Sequence, residues 1–157
     1  MRRLLMVAVA LALPVTGILA FAGVSAAATT VKCTKLSGKE GGNGGLKGTL
    51  TGCNDPKNTG GKGKFKGSTL MSSTTASITW NGTGTTTFSG VAFTPTSVAC
   101  PGGSVAEKVT GTVSGGTGKA AKSIPKDWTF RMYLCISSST AELSLAPGTD
   151  FLIGAKY

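Results

Sequence analysis

The stretch "DWTFRMYLCI", residues 127–136, constrains this chain more than any other. Trp128, Phe130, Met132, Leu134 and Ile136 fall on one side of an extended backbone, with Thr129, Arg131, Tyr133 and Cys135 on the other. Successive strand side chains point to opposite faces, so this period-two pattern spells a half-buried strand and not a helix. The pattern recurs. "AELSL" opposes Ala141, Leu143 and Leu145 to Glu142 and Ser144, and the closing "FLIGAKY" gives Phe151, Ile153, Ala155 and Tyr157 a common face. No stretch sustains apolar residues at helical spacing, and Gly or Pro interrupts nearly every window.

Further strands are expected at 31–36, 45–53, 62–70, 91–98 and 107–114. In "ASITWNGTGTTTFSG" the run Ala76, Ile78, Trp80 leads into Asn81-Gly82, the pair that most readily takes the positive φ angles of a type I′ turn. The return strand carries Thr83, Thr85 and Thr87, and Gly90 marks a bulge, because Phe88 and Phe93 cannot share a face in a regular strand. Asn81-Gly82-Thr83 also fits a glycosylation sequon; it is read here as a turn. The fold class that follows is all-β: a single-domain antiparallel β-sandwich or small β-barrel of about eight or nine short strands.

Residues 1–28 read as a cleaved signal peptide. Arg2 and Arg3 precede an apolar run from Leu4 to Ala22, and small residues at Ala26 and Ala28 suit signal peptidase. Cleavage is expected after Ala28, with Ala26 the alternative. Pro14, Thr16 and Gly17 interrupt the run and make it a poor spanning helix. Cys33 follows "TVK" and lacks a lipobox, so no lipid or transmembrane anchor is expected in the mature form. The expected secreted β domain is residues 29–157. Losing Arg2 and Arg3 takes the formal charge from +10 to +8.

Nine aromatics make a thin core for that domain, and four cysteines are expected to compensate. Cys33, Cys53, Cys100 and Cys135 are even in number, lie wholly in the exported part and face an oxidising compartment. They contain no Cys-x-x-Cys knuckle, and the chain has no histidine, which argues against zinc. Two disulfides are expected. Of three pairings, Cys33–Cys53 with Cys100–Cys135 is favoured, because near-sequence partners meet most easily.

"NTGGKGKFKGST" places Lys62, Lys64 and Lys66 at alternate positions, hence on one face of a strand, with Phe65 opposite. Their ammonium groups stand about 6.6 Å apart, two strand rises, which costs only about 0.6 kcal/mol per pair in water. Two readings follow. The lysines are the wet side of a strand, or of an edge strand protected from pairing; or, with Lys47, they form a contact surface. Charge asymmetry favours the second, since residues 29–70 hold eight lysines against Glu40 and Asp55 while residues 71–157 net only +2. Outside a cell the available polyanions are wall phosphates, acidic glycans, lipid headgroups and stray nucleic acid. Specific nucleic-acid binding is not expected. Arg131 is the mature chain's one arginine, so the guanidinium forks that read bases are lacking.

Without histidine the Ser-His-Asp and Cys-His arrangements are excluded. The acids Glu40, Asp55, Glu107, Asp127, Glu142 and Asp150 show no catalytic pairing, and Asn54, Asp55 and Asn58 are too few for calcium. No enzyme activity, cofactor or metal is expected.

The alanine-rich leader, segments such as "GTLTGC" and "SITWNGTGTTTFSG" and four spread cysteines resemble the small exported β-proteins common in actinobacteria. That resemblance implies a source and a fold class, not an activity. The neocarzinostatin-type carriers are similar in size and cysteine number, but they are acidic and close short disulfide loops. The expected function is a non-enzymatic secreted protein binding anionic cell-envelope components through Lys47, Lys62, Lys64 and Lys66. Two alternatives stay open. One is a carrier of a small apolar ligand in an interior lined by Trp80, Phe88, Trp128 and Phe130. The other is an inhibitor of a secreted hydrolase using "CNDPKNTGG" or "CPGGS".

Overall fold

A computed structural model of the chain describes residues 30–68 and 75–155. The expected leader and its Ala28 cleavage position lie outside the described residues, as do 69 and 70 of the expected strand 62–70 and Tyr157 of the last one. Nine strands follow in order: β1 (Val31–Glu40), β2 (Gly45–Cys53), β3 (Lys62–Ser68), β4 (Ala76–Trp80), β5 (Gly84–Pro95), β6 (Ser104–Thr117), β7 (Thr129–Ser137), β8 (Glu142–Leu145) and β9 (Phe151–Gly154). Each pairs antiparallel with its sequence neighbour from β1 through β8. Pairing of β8 with β1, Ser37 opposite Ser144 and Lys39 opposite Glu142, closes the sheet.

The fold is therefore a closed eight-stranded antiparallel barrel with a ninth strand. β9 fills the rest of the gap that β8 spans, pairing with Val31–Cys33 of β1 and Thr129–Arg131 of β7. β8 and β9 thus lie end to end between the same two strands, separated by the "APGTD" turn. Closure removes the exposed sheet edges that an open sheet must protect.

An eight-stranded barrel is just wide enough for its interior to be filled by side chains. Here Phe65, Trp80, Phe88, Phe130, Met132, Leu134, Phe151 and Ile153 are all essentially buried. Phe88 and Phe130 pack tilted at 59° with ring centroids 4.5 Å apart, and Phe130 meets Phe151 at 5.9 Å. Trp80 Nε1 donates to Thr86 Oγ1 at 2.8 Å, satisfying the two buried polar groups together. Inward glycines make room for the rings. A Cβ on Gly63 would stand 2.7 Å from Trp80 Cε3, and one on Gly111 would stand 2.5 Å from Phe130 Cε1. Part of the chain's glycine richness is therefore packing. It pairs small residues with large ones across neighbouring strands.

Two short helices close one end of the barrel: α1 (Pro56–Thr59) and α2 (Gly118–Ser123). Both fall in stretches whose polarity and glycine content read as loop. α2 buries Ala120, with Ile124 just beyond it, in the core. Thr83 ties both helices to the β4–β5 turn: its carbonyl accepts from Ala120 N, and its hydroxyl donates to the Asn58 carbonyl. The same threonine corrects the expected type I′ turn. The connection is three residues, Asn81 to Thr83, and Trp80 pairs with Gly84. Gly82 has a positive φ of 70° while Asn81 does not. The expected bulge at Gly90 is present, with φ 60° and a register shift between Ser89 and Ala92. β1 runs four residues past its expected end, the expected strand 107–114 is the core of the longer β6, and the expected strand 91–98 overruns β5, which begins at Gly84 and ends at Pro95.

Both disulfides have the favoured pairing. Cys33–Cys53 joins directly opposed residues of β1 and β2, with Cα atoms 4.0 Å apart. Cys100–Cys135 fastens the β5–β6 loop to the outer side of β7, with Cα atoms 5.6 Å apart.

Candidate functional site

Lys62, Lys64 and Lys66 all project from the outer face of β3, while Gly63 and Phe65 turn inward. β3 is hydrogen-bonded on both sides, to β2 and to β4. It is not an edge strand, so the lysines do not protect an edge.

Register then assembles more than the sequence suggested. Lys47 of β2 stands directly opposite Lys66, and on its other side it stands directly opposite Lys39 of β1. Lys39, Lys47 and Lys66 form one rung of like charge across three strands. A second rung runs Ser37, Thr49, Lys64, and a third runs Lys35, Thr51, Lys62. The six lysines are exposed on one stretch of outer wall, and among the described residues none of them is ion-paired. Lys32 is the contrast: it pairs with Asp150 at 2.9 Å near the other end of β1. The expected residues Lys47, Lys62, Lys64 and Lys66 are thus brought together; Lys35 and Lys39 join them unforeseen. Their alternation in "KLSGK" was visible, but an expected strand end at residue 36 left Lys39 outside it.

Elsewhere the outer wall is mixed, with Lys108 of β6 and Arg131 of β7 among threonines, while β4 and β5 show a face solvated without charge. Ser77, Thr79, Thr85 and Thr87 of β4 and β5 carry hydroxyls and no charge. Some contact one another, as Thr85 Oγ1 and Thr117 Oγ1 do at 2.9 Å.

Beside the lysine rungs lies an open groove of about 980 Å³. Lys39, Lys47, Lys64 and Lys66 line one flank. Thr49 lies among these lysines on β2; Pro101, Gly102, Ser137 and Thr140 line the other flank, and Ser37 and Ser144 lie between in strand order. Cys135 is also in the lining, so the Cys100–Cys135 bond holds the Pro101–Gly102 loop as the far wall. Glu142, opposite Lys39 across β1 and β8, is the groove's carboxylate. A smaller recess of about 320 Å³ shares Thr49 and Lys64 with it and extends the basic strip over Lys62 and Thr79.

The other residues considered as sites sit as follows. Trp80, Phe88 and Phe130 fill the core against one another, and Trp128 packs against it from a half-buried position. Asn54 accepts from Lys32 N and donates to the Thr30 carbonyl, tying its loop to the start of β1, while Asn58 donates to Asp55 Oδ2 at 2.8 Å within the turn, so these polar groups of "CNDPKN" are used by the fold. Among the described residues no group of three or more Cys, Asp or Glu side chains converges as metal ligands, and no helix is long and apolar enough to cross a membrane. No protein-family model, curated protein or solved structure matches the chain.

Proposed function

We propose that the protein is a secreted, non-enzymatic barrel that binds anionic components of the cell envelope through the outer face of β1–β3. The observation that carries this reading is the rung Lys39–Lys47–Lys66. Like charges directly opposite on neighbouring strands destabilise a sheet, and the outer face of β4 and β5 is solvated by threonine and serine without them. Lys47, with a lysine directly opposite on each side, costs the fold stability, and an anion laid across the three would offset that cost. The expected leader, the resemblance to exported actinobacterial β-proteins and the two disulfides, which suit an oxidising compartment, support a partner outside the cell.

The test is retention of the oxidised mature protein on isolated cell walls and on anionic vesicles across a salt series, beside Lys62→Gln/Lys64→Gln/Lys66→Gln. Strong retention at low salt that weakens with salt and largely disappears in the variant supports the reading. Equal behaviour of wild type and variant removes it.

A further inference from the structure

The groove narrows the class of polyanion, an inference that rests on the lysine-face reading. We infer that the groove beside the lysine rungs seats a linear phosphodiester polymer of the polyol-phosphate kind, the phosphates against Lys39, Lys47, Lys64 and Lys66 and the polyol hydroxyls against the serine and threonine flank.

Three features select this chemistry. First, the cations are spaced as a series. Strands lie about 4.8 Å apart and alternate residues along one strand about 6.6 Å apart, so Lys66, Lys47 and Lys39 meet successive charges of a repeating anion laid across the strands. Lysine is a compact, rotatable point charge, suited to a flexible chain of phosphates. Second, the lining carries no stacking platform. Its one aromatic, Phe65, is 1% exposed. Sugar rings and nucleobases are held largely on exposed aromatic faces, and this groove offers them none. Third, the charge stops partway. Beyond Lys39 the same rung continues into Glu142, and the next into Ser144, with Ser137 and Thr140 following. A carboxylate repels phosphate but accepts from a hydroxyl. The lining therefore matches a repeat that is charged in one part and hydroxylated in another, and not a continuous band of charge. A bilayer is excluded on shape: it touches the exposed lysines but does not enter a recess walled by the stapled Pro101–Gly102 loop.

The experiment measures binding of the oxidised protein to a short poly(glycerol phosphate) by calorimetry. Polygalacturonate, oligothymidylate and phosphatidylglycerol vesicles are the competing polyanions. Two variants fill the groove while keeping every lysine: Ser37→Trp in its middle, and Thr140→Trp on an exposed turn, where only the hydroxyl contact to Ser137 Oγ is lost, with circular dichroism checking that each variant folds. Ser89→Trp, exposed on β5, is the control of equal size. Poly(glycerol phosphate) is expected to bind tightest and to lose about tenfold or more in affinity with either groove variant, while Ser89→Trp changes nothing. If the four lining lysines each meet a phosphate, affinity falls roughly fiftyfold between 50 and 200 mM salt, taking the single-strand counterion slope. A comparator that binds more tightly, or groove variants that behave like Ser89→Trp, overturns the inference. In that case, wall retention that still depends on Lys62, Lys64 and Lys66 leaves the lysine-face reading standing. Retention that ignores those lysines sinks both.

Discussion

If the lysine rung is maintained against the interests of the fold, then breaking it stabilises the protein, and Lys47→Thr is the sharpest way to break it. Lys47 lies between Lys39 and Lys66, directly opposite each. Directly opposed Cβ atoms are about 5 Å apart, and long side chains splay their ammonium groups to about 6 Å or more. Each pair then costs about 0.7 kcal/mol in water, so one substitution relieves two pairs, or about 1.4 kcal/mol before screening. At 0.01 M salt the Debye length is about 30 Å and most of that repulsion survives; at 1 M it is about 3 Å and nearly all is gone. Threonine also suits a strand better than lysine, a salt-independent gain of some tenths of a kcal/mol. For a domain of this size 1 kcal/mol moves the melting temperature by about 3–5 °C. Thermal unfolding followed by circular dichroism is thus expected to show Lys47→Thr melting about 3–6 °C higher at 0.01 M salt. At 1 M salt that gain shrinks to about 1–2 °C. Lys126→Thr, exposed between α2 and β7 and outside the rungs, removes the same charge and is expected to give the smaller salt-dependent shift. A loss of stability in Lys47→Thr, or a gain that ignores salt, would refute the claim that the rung is repulsive.

Other consequences follow from the packing. Replacing Cys33 and Cys53 by alanine is expected to cost about 3 kcal/mol, and Cys100 with Cys135 about 4, from the loop closures of 20 and 35 residues. Denaturant midpoints of the two double variants measure both, and equal wild-type midpoints would contradict the bracing role. Gly63→Ala forces a methyl against Ile78 Cγ2 and Trp80 Cε3; a loss of about 1–3 kcal/mol with a changed tryptophan emission is expected, whereas Gly61→Ala leaves that emission alone. Thr86→Val removes the acceptor of the buried Trp80 Nε1 and is expected to cost about 1–3 kcal/mol in chemical denaturation. A neutral result would mean the indole finds water.

What the sequence disclosed, it disclosed through local physics. Phe130, Met132 and Leu134 are buried as their alternation required, and Gly90 bulges where Phe88 and Phe93 could not otherwise both pack. The disulfide pairing was reachable because short loops close most easily. Barrel closure was not, since pairing of Lys39 with Glu142 joins residues about a hundred positions apart, and no window of sequence encodes register. For the same reason β3 read equally well as an edge, and Lys39 and Lys35 were missed beside Lys47 and Lys62. The helices α1 and α2 are too short to display a period. α2 is held by Ala120 and Ile124 packing under the barrel and by Thr83 across from it. Those are tertiary forces, and the same Thr83 lengthens the expected Asn81–Gly82 turn by one residue.

In the proposed reading, position and not net charge makes the lysine face a binding surface. The most direct measurement compares wild type with a variant of identical charge in which Lys39, Lys47 and Lys66 become threonine while Ser89, Ala92 and Thr94, all exposed on β5, become lysine. Both are assayed for retention on isolated cell walls at low and high salt. Wild type is expected to be retained at low salt and the rearranged variant largely not. Equal retention of the two would contradict it, leaving only a basic protein that adheres wherever the charge is negative.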